Sequence, residues 1–310
     1  MVFTQKVTRS KPLKAPDTTE GFTSGASSSD AAEESKYDWL DNNRLYDSFY
    51  ASIYDQLVQG STRTQVEVKL LLDKWKLPGR RREELRILDI GCGTGLAPIA
   101  FAKENVGRVV GLDNSKAMLE YAEKTNLSKA NLTAHQKDSV KWREADVIDP
   151  SACKPQEFDC ACLLYFSVYY VRDLDGLFRN LSLWISPGGK IAVQVVNKFK
   201  FDPILDSASP FMFSVQKYSK DRVMKSLVKF DKFDYDAMFH LDGENSDTAA
   251  EFRETFRFKD GSIRRQRHTF NMPSISVIVN KAKSAGWIYD GYIDELASGF
   301  EYSYLLCFHH

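Results

Sequence analysis

The sequence lacks an excess of charge of either sign, with 42 Lys and Arg against 42 Asp and Glu. A balanced chain has no global field to draw it onto nucleic acid or an anionic bilayer, so nucleic acid and membrane are not expected partners. Long apolar runs are missing too: none approaches the roughly 20 residues that cross a hydrocarbon core. No charged start followed by an apolar segment marks a secretory leader. Cysteine is scarce and odd in number: Cys92, Cys153, Cys160, Cys162 and Cys307. Their spacings match neither a zinc site nor a disulfide framework, so no metal is expected, and reduced thiols fit an intracellular, cytoplasmic setting. Cys160 and Cys162 alternate along an apolar stretch, which places both on one strand face as small core residues. Acidic residues are absent before Asp17, whereas Lys6, Arg9, Lys11 and Lys14 precede it. An organellar transit peptide reads this way, and so does an ordinary tail; weak amphipathic periodicity favours the tail.

Large apolar residues are few from residue 1 to 36, and the run Thr23-Ser24-Gly25-Ala26-Ser27-Ser28-Ser29 cannot bury enough surface to offset chain entropy. A disordered tail is expected there. Order is expected from Tyr37, where Tyr46, Phe49, Tyr50, Ile53, Tyr54 and Leu57 recur at helical steps. A second helix carrying Val66, Leu70 and Leu71 should stop before Pro78-Gly79.

Strands and helices then alternate. Arg86–Ile90 and Val109–Asp113 read as strands, Leu96–Lys103 and Lys116–Lys124 as helices, and Ala145-Asp146-Val147 as the end of a third strand. A fourth strand over Phe158–Tyr165, a helix over Leu174–Leu183 and a fifth strand over Ile191–Val196 follow Pro-Gly and Gly signals in the expected order. This β–α alternation predicts an α/β, Rossmann-like sheet of seven mostly parallel strands with helices on both faces. Residues 37–196 form its core in this reading. From 197 to 272 the pattern becomes antiparallel, with strands over Tyr235–Leu241, Ala250–Phe258 and Ser262–Phe270 and an Asp260-Gly261 hairpin signal. This is expected to be a small β insertion or lid after the fifth strand. Residues 273–310 return as the last helix, over Ser274–Ala285, and two closing strands, Trp287–Ile293 and Tyr302–Phe308.

The chemistry is carried by Leu88-Asp89-Ile90-Gly91-Cys92-Gly93-Thr94-Gly95, a glycine-rich turn between a strand and a helix. Without Cβ atoms the backbone bends sharply and lets a ligand approach closely. The spacing is G-x-G-x-G, with Leu96 where a dinucleotide-binding G-x-G-x-x-G fingerprint would continue. Read alone, the three glycines are a tight turn and Asp113 a helix cap.

The whole set, in register, resembles the class I S-adenosylmethionine-dependent methyltransferases, from about Tyr37 to Phe308. The resemblance implies S-adenosyl-L-methionine as cofactor and S-adenosyl-L-homocysteine as product. It places Asp89, Gly91, Cys92, Gly93 and Gly95 around the cofactor, with Asp113 and the neighbouring Asn114 at the ribose and Asp146 and Val147 at the adenine edge. Asp138 is an alternative to Asp146. Leu164, at the end of the fourth strand, belongs to the same set. Met118 either covers the adenine or is plain helix core. Tyr50 and Tyr54 lie on a helix that closes over the cofactor in many relatives, or form an aromatic core stripe; Tyr54 is taken as the contact.

Absences narrow the acceptor. Leu164-Tyr165-Phe166-Ser167 stands where enzymes methylating exocyclic or amide nitrogen carry Asn/Asp-Pro-Pro-Tyr/Phe. No Pro-Cys nucleophile, paired-glutamate hairpin or metal constellation is evident. A small-molecule acceptor is expected, with protein or RNA as the alternative and a non-catalytic binding module as a third reading. Tyr169, Tyr170, Glu251, Arg253, Glu254, Arg257 and His268 either face a pocket or belong to solvated strand faces. Arg80-Arg81-Arg82 and Arg264-Arg265-Gln266-Arg267 read as solvated surface because no aromatics interleave them. The catalytic residue and oligomeric state stay unassigned.

Overall fold

The computed structural model describes residues 39–58, 60–203, 224–241 and 249–310. The expected tail and part of the expected lid fall outside them. The chain begins with α1 (Ser48–Val58) and α2 (Ser61–Lys74), then alternates through β1 (Arg86–Ile90), α3 (Leu96–Lys103), β2 (Arg108–Asp113), α4 (Lys116–Tyr121), α5 (Ala134–Asp138) and β3 (Val140–Glu144). It continues as β4 (Phe158–Leu163), α6 (Ser167–Tyr170), α7 (Leu174–Trp184) and β5 (Ile185–Val196). The insertion supplies β6 (Lys225–Lys229), β7 (Phe233–Leu241), β8 (Ala249–Phe258) and β9 (Ile263–Asn271). The chain closes with α8 (Ile275–Ser284), β10 (Ile288–Asp294) and β11 (Ser303–His309).

The strand order of the large sheet is β10-β11-β5-β4-β1-β2-β3. Its pairs are parallel except for β11, which runs antiparallel to both neighbours. The α/β sheet of seven mostly parallel strands is therefore as expected. The order turns back between β1 and β4, since β1 connects outward through β2 and β3 before the chain returns. That is a switch point, and ligands of open α/β sheets bind in the crevice beyond the carboxyl ends of such strands.

Burial explains the strand composition. All six residues of β4 are buried, because helices cover both faces, so the run is continuously apolar rather than alternating. In β7 the pattern alternates, as befits a sheet with one wet face. The second sheet is antiparallel in the order β6-β7-β8-β9 and is not a separate core: Phe239, Phe256 and Phe270 belong to the same apolar cluster as Leu163, Phe178 and Val193.

Three local expectations change. The third strand ends at Glu144, so Asp146 and Val147 lie in the turn beyond it, where Ile148 N–H is capped by the Asp146 carboxylate at 3.0 Å. The regular helix α4 ends at Tyr121 and widens into a π-turn over Ala122–Leu127. The inward face of α2 is Arg63, Thr64, Glu67, Val68, Leu71 and Leu72; Val66 and Leu70 are only partly buried. Charged residues hold inward positions there, which displaces the apolar stripe expected from periodicity.

Candidate active site

The crevice at the switch point opens into a cavity of about 770 Å³, within the usual size of a small-molecule site. Its floor is the bend after β1. Gly91 sits at φ +67°, and a Cβ there would stand 2.6 Å from the Ser167 hydroxyl oxygen. Only glycine fits both the backbone and the space. The Gly93 N–H donates to the Asp113 carboxylate at 2.8 Å, and the Ser115 N–H reaches its other oxygen at 2.8 Å. Asp113 is thus held at the tip of β2 with its edge to the cavity. Burial raises its pKa, against the lowering effect of these two N–H donors. Asn114, Met118, Asp146, Val147 and Leu164 line the same cavity, as do Asp89 and Cys92 at its base and Tyr54 above.

Gly95 does not line it. At φ +81° it begins α3, and a Cβ there would meet the Trp142 ring at 2.4 Å. Its absent side chain serves helix-to-strand packing, as the last glycine of a nucleotide-binding turn often does. Asp138 lies away from the cavity and pairs with Lys141 at 2.8 Å on the surface. Tyr50 faces the insertion rather than the large cavity, donating to Glu254 at 2.9 Å. Met118 is fully buried beneath the bend.

Sequence reading missed several residues that line the cavity or brace its walls. Asp55, next to Tyr54, accepts a 2.5 Å hydrogen bond from the Thr94 hydroxyl and a 2.6 Å bond from the Asn126 amide. It fastens α1 onto the glycine turn. Arg63 and Thr64 enter the wall from α2. The Arg63 guanidinium lies 3.5 Å from Glu67, and 4.2 and 4.5 Å from the centres of the Tyr165 and Phe300 rings. Behind it, Gln194 Nε2 donates to Glu67 and Glu295 at 3.2 and 2.7 Å. Burial, reinforced by Glu67, pushes the Glu295 carboxyl up to about 8. Burial likewise lifts Asp89 to about 7, against a lowering hydrogen bond from Cys162. The only early signal for Arg63 and Glu67 was their spacing of four, which puts opposite charges on one helix face.

The loop after β4 holds Tyr165 and Phe166 in left-handed backbone at φ +46° and +67°. Such conformations cost on the order of 1–3 kcal/mol each and gather at functional sites. They turn Tyr165 between the large cavity and a second, smaller one of about 80 Å³. The two share Tyr46, Tyr54, Val58, Tyr165 and Tyr170. Elsewhere the small cavity is walled mainly by Phe201, Phe239, Phe252, Phe270 and Phe300, with His268 on β9.

A chain of hydrogen bonds borders this junction. Tyr46 donates to the Tyr170 hydroxyl at 2.6 Å, Tyr170 lies 2.6 Å from His268 Nδ1, and His268 Nε2 lies 2.6 Å from Glu254. Tyr235 and Gln266 also donate to Glu254, each at 2.6 Å. Glu254 and His268 were candidates for a pocket; Glu251, Arg253 and Arg257 instead pair with one another or with Asp236 on the sheet surface. Tyr169 turns into the core, where its hydroxyl oxygen accepts from the Val196 N–H at 2.8 Å. Among the described residues no cluster suits a metal ion, and no helix is long and apolar enough to cross a membrane. The basic runs are engaged in ion pairs, Arg81 with Glu84, Arg82 with Glu104 and Arg264 with Asp47.

Comparison with known proteins agrees with this geometry. Residues 87–189 match the methyltransferase domain family. Over 122 residues the chain is 25% identical to the mitochondrial ubiquinone biosynthesis O-methyltransferase of Dictyostelium discoideum, covering 37% of this chain and 36% of that protein. Over 112 residues it is 27% identical to phosphoethanolamine N-methyltransferase 1 of Triticum aestivum, covering 35% and 20%. The aligned parts thus span about a third or less of these curated relatives. The structure of the CcbJ methyltransferase from Streptomyces caelestis superposes with a TM-score of 0.61 over 88% of this chain and 98% of that one, at 13% identity, a likeness of fold. Residues 87–189 thus carry a methyltransferase domain, and the sheet around them has the fold of a methyltransferase.

Proposed function

We propose that this protein transfers the methyl group of S-adenosyl-L-methionine to a nitrogen, oxygen or carbon nucleophile of a small molecule. One observation carries the reading: the glycine bend, Asp113, Asp146 and Tyr54 converge on a single cavity at the switch point of the sheet. The residues fit the cofactor. Asp113 can accept hydrogen bonds from ribose hydroxyls, the turn at Asp146-Val147 lines the cavity where an adenine edge would lie, and Arg63 with Thr64 suits the methionine carboxylate. The Gly91–Gly93 bend leaves room for the ligand body between them.

The cofactor supplies an activated methyl on a positive sulfur, so the reaction is in-line displacement and the protein chiefly aligns the partners. Tyr54 and Tyr165 present aromatic faces where a sulfonium would lie. Arg267 and Thr269 on β9, together with Asn42 and Tyr46, wall the cavity opposite the sheet edge. Walls on both sides support a small acceptor over a polymer. The two curated relatives, an O-methyltransferase of ubiquinone biosynthesis and a phosphoethanolamine N-methyltransferase, support the same class. The five unpaired, buried cysteines support a reducing compartment, the cytoplasm on this reading.

Titration calorimetry with S-adenosyl-L-homocysteine should show binding, and absence of heat from the folded protein would return the non-catalytic module. Incubation with methyl-labelled cofactor and a small-molecule extract should place label in the low-molecular-weight fraction. Label in protein or RNA alone would reject the small acceptor.

A further inference from the structure

We propose that Tyr46, Tyr170 and His268 form a proton relay that removes the hydrogen leaving the acceptor atom, with Glu254 as the positioning residue that holds the resulting imidazolium. This rests on the methyltransferase reading and adds to it an acceptor that must lose a proton, a hydroxyl or an amine on an apolar or aromatic body.

The first support is continuity. Three successive contacts of 2.6 Å run from Tyr46 through Tyr170 and His268 to Glu254. Such distances suit proton movement along hydrogen bonds already made. The second is placement. Tyr46 and Tyr170 border both cavities, so the phenol end of the chain meets the space between cofactor crevice and aromatic chamber. The imidazole end is closed off: His268 is 3% exposed and Glu254 is 0%. A proton arriving there comes through the phenols rather than from bulk water.

The third support is the chemistry of the ends. Burial keeps Tyr46 and Tyr170 well above the usual phenol range, so neither rests as tyrosinate. They pass a proton on and do not keep it. Glu254 behaves in the opposite way. Burial alone would raise its carboxyl, but the charge that His268 carries as imidazolium, the state the relay produces, and the hydrogen bonds from His268, Tyr235 and Gln266 outweigh it and hold it below the ordinary range. A carboxylate that stays ionised in a dry site is the partner an imidazolium needs. The groups packed on His268 are Tyr46 from the turn before α1, Tyr50 from α1, Tyr170 from α6, Glu254 with Phe252 from β8 and Phe270 from its own strand. Glu254 is the one ionised group among them.

The step balances. The nucleophilic atom of the acceptor bonds to the methyl carbon while the carbon–sulfur bond breaks, and its electron pair leaves with sulfur as a neutral thioether. The acceptor's surplus proton goes to the Tyr46 oxygen, the Tyr46 proton to the Tyr170 oxygen, and the Tyr170 proton to His268 Nδ1. Imidazole becomes imidazolium, and Glu254 remains a carboxylate. The positive charge lost from sulfur reappears on His268.

The test uses 4-nitrophenol, whose phenolate absorbs visibly, with the full chain saturated with S-adenosyl-L-homocysteine. Bound probe should ionise at lower pH than free probe, by about one unit or a tenfold change in its ionisation constant. His268→Gln and Tyr170→Phe should each bind the probe yet abolish that shift, with native circular dichroism and continued binding of the homocysteine product as the check on folding. A depression that persists in both variants, or a bound probe with no depression in the parent protein, overturns the relay. Failure of the probe to bind at all overturns the chamber as acceptor site. Failure of the homocysteine product itself to bind sinks the methyltransferase reading instead.

Discussion

The backbone N–H of Gly93 reaches the carboxylate of Asp113 at 2.8 Å, so the bend after β1 and the tip of β2 are tied before any ligand arrives. Preorganisation of this kind spares the protein an ordering cost on binding. Asp113→Ala should therefore remove both a ligand contact and the brace of the bend. We expect S-adenosyl-L-homocysteine to bind more weakly by about 1–3 kcal/mol, read by calorimetry. An unchanged dissociation constant in a folded variant would mean that the ribose lies elsewhere.

Gly91→Ala combines a left-handed φ of +67° with a Cβ 2.6 Å from the Ser167 hydroxyl. Thermal unfolding should show a loss of roughly 1–3 kcal/mol, and ligand affinity should fall with it. The partner side chain is small, so Gly91→Ala with Ser167→Gly should recover part of the affinity but not the backbone cost. Full recovery of stability would contradict the strain argument.

Asp55 joins α1 to the glycine turn through Thr94 and Asn126. Asp55→Ala leaves the Thr94 hydroxyl without this acceptor and the Asn126 amide with only the Thr94 carbonyl, and should cost about 1–3 kcal/mol of stability. The cofactor product should also bind more weakly, because Tyr54 on the same helix loses its placement. A variant with lower melting temperature and intact affinity would confine Asp55 to a structural role.

The unliganded protein should lose stability as pH rises from mildly acidic to mildly alkaline. Asp89 and Glu295 titrate at about 7 and about 8 in the folded chain, whereas unfolded carboxyls titrate near ~4. Between these limits the folded state binds more protons, so unfolding becomes easier as pH increases. Asp89→Asn removes one such group and should flatten the slope between pH 5 and 8 by on the order of 2–4 kcal/mol. Urea melts of both proteins at the two pH values measure this; parallel slopes would count against a buried, protonated Asp89.

The parts of this design that could be read from the sequence are the local ones. Leu88 to Gly95 announces a strand, a bend and a helix within eight residues, and Asp113 follows at the end of the next apolar run. The Asp260-Gly261 turn joins β8 and β9 as expected, with Gly261 at φ +87°. By contrast, β6 alternates Lys, Ser, Leu, Val and Lys, too short and polar for a periodic signal. Arg63 and Glu67 carry no apolar signal, and burial of an ion pair depends on what packs over it. Tyr170 and His268 are 98 residues apart and Tyr46 and Tyr170 are 124 apart. No pattern in a single chain records such meetings.

The helix α1 touches two masters. Asp55 grips the turn after β1, while Tyr50, less than two turns earlier, grips Glu254 in the second sheet. Leu40, upstream of the same helix, is laced by backbone bonds to Arg265 and Arg267 of β9. A hinge that opened the small sheet as a rigid flap would have to tear one of these grips. The antiparallel sheet is thereby a fixed wall of the crevice rather than a door.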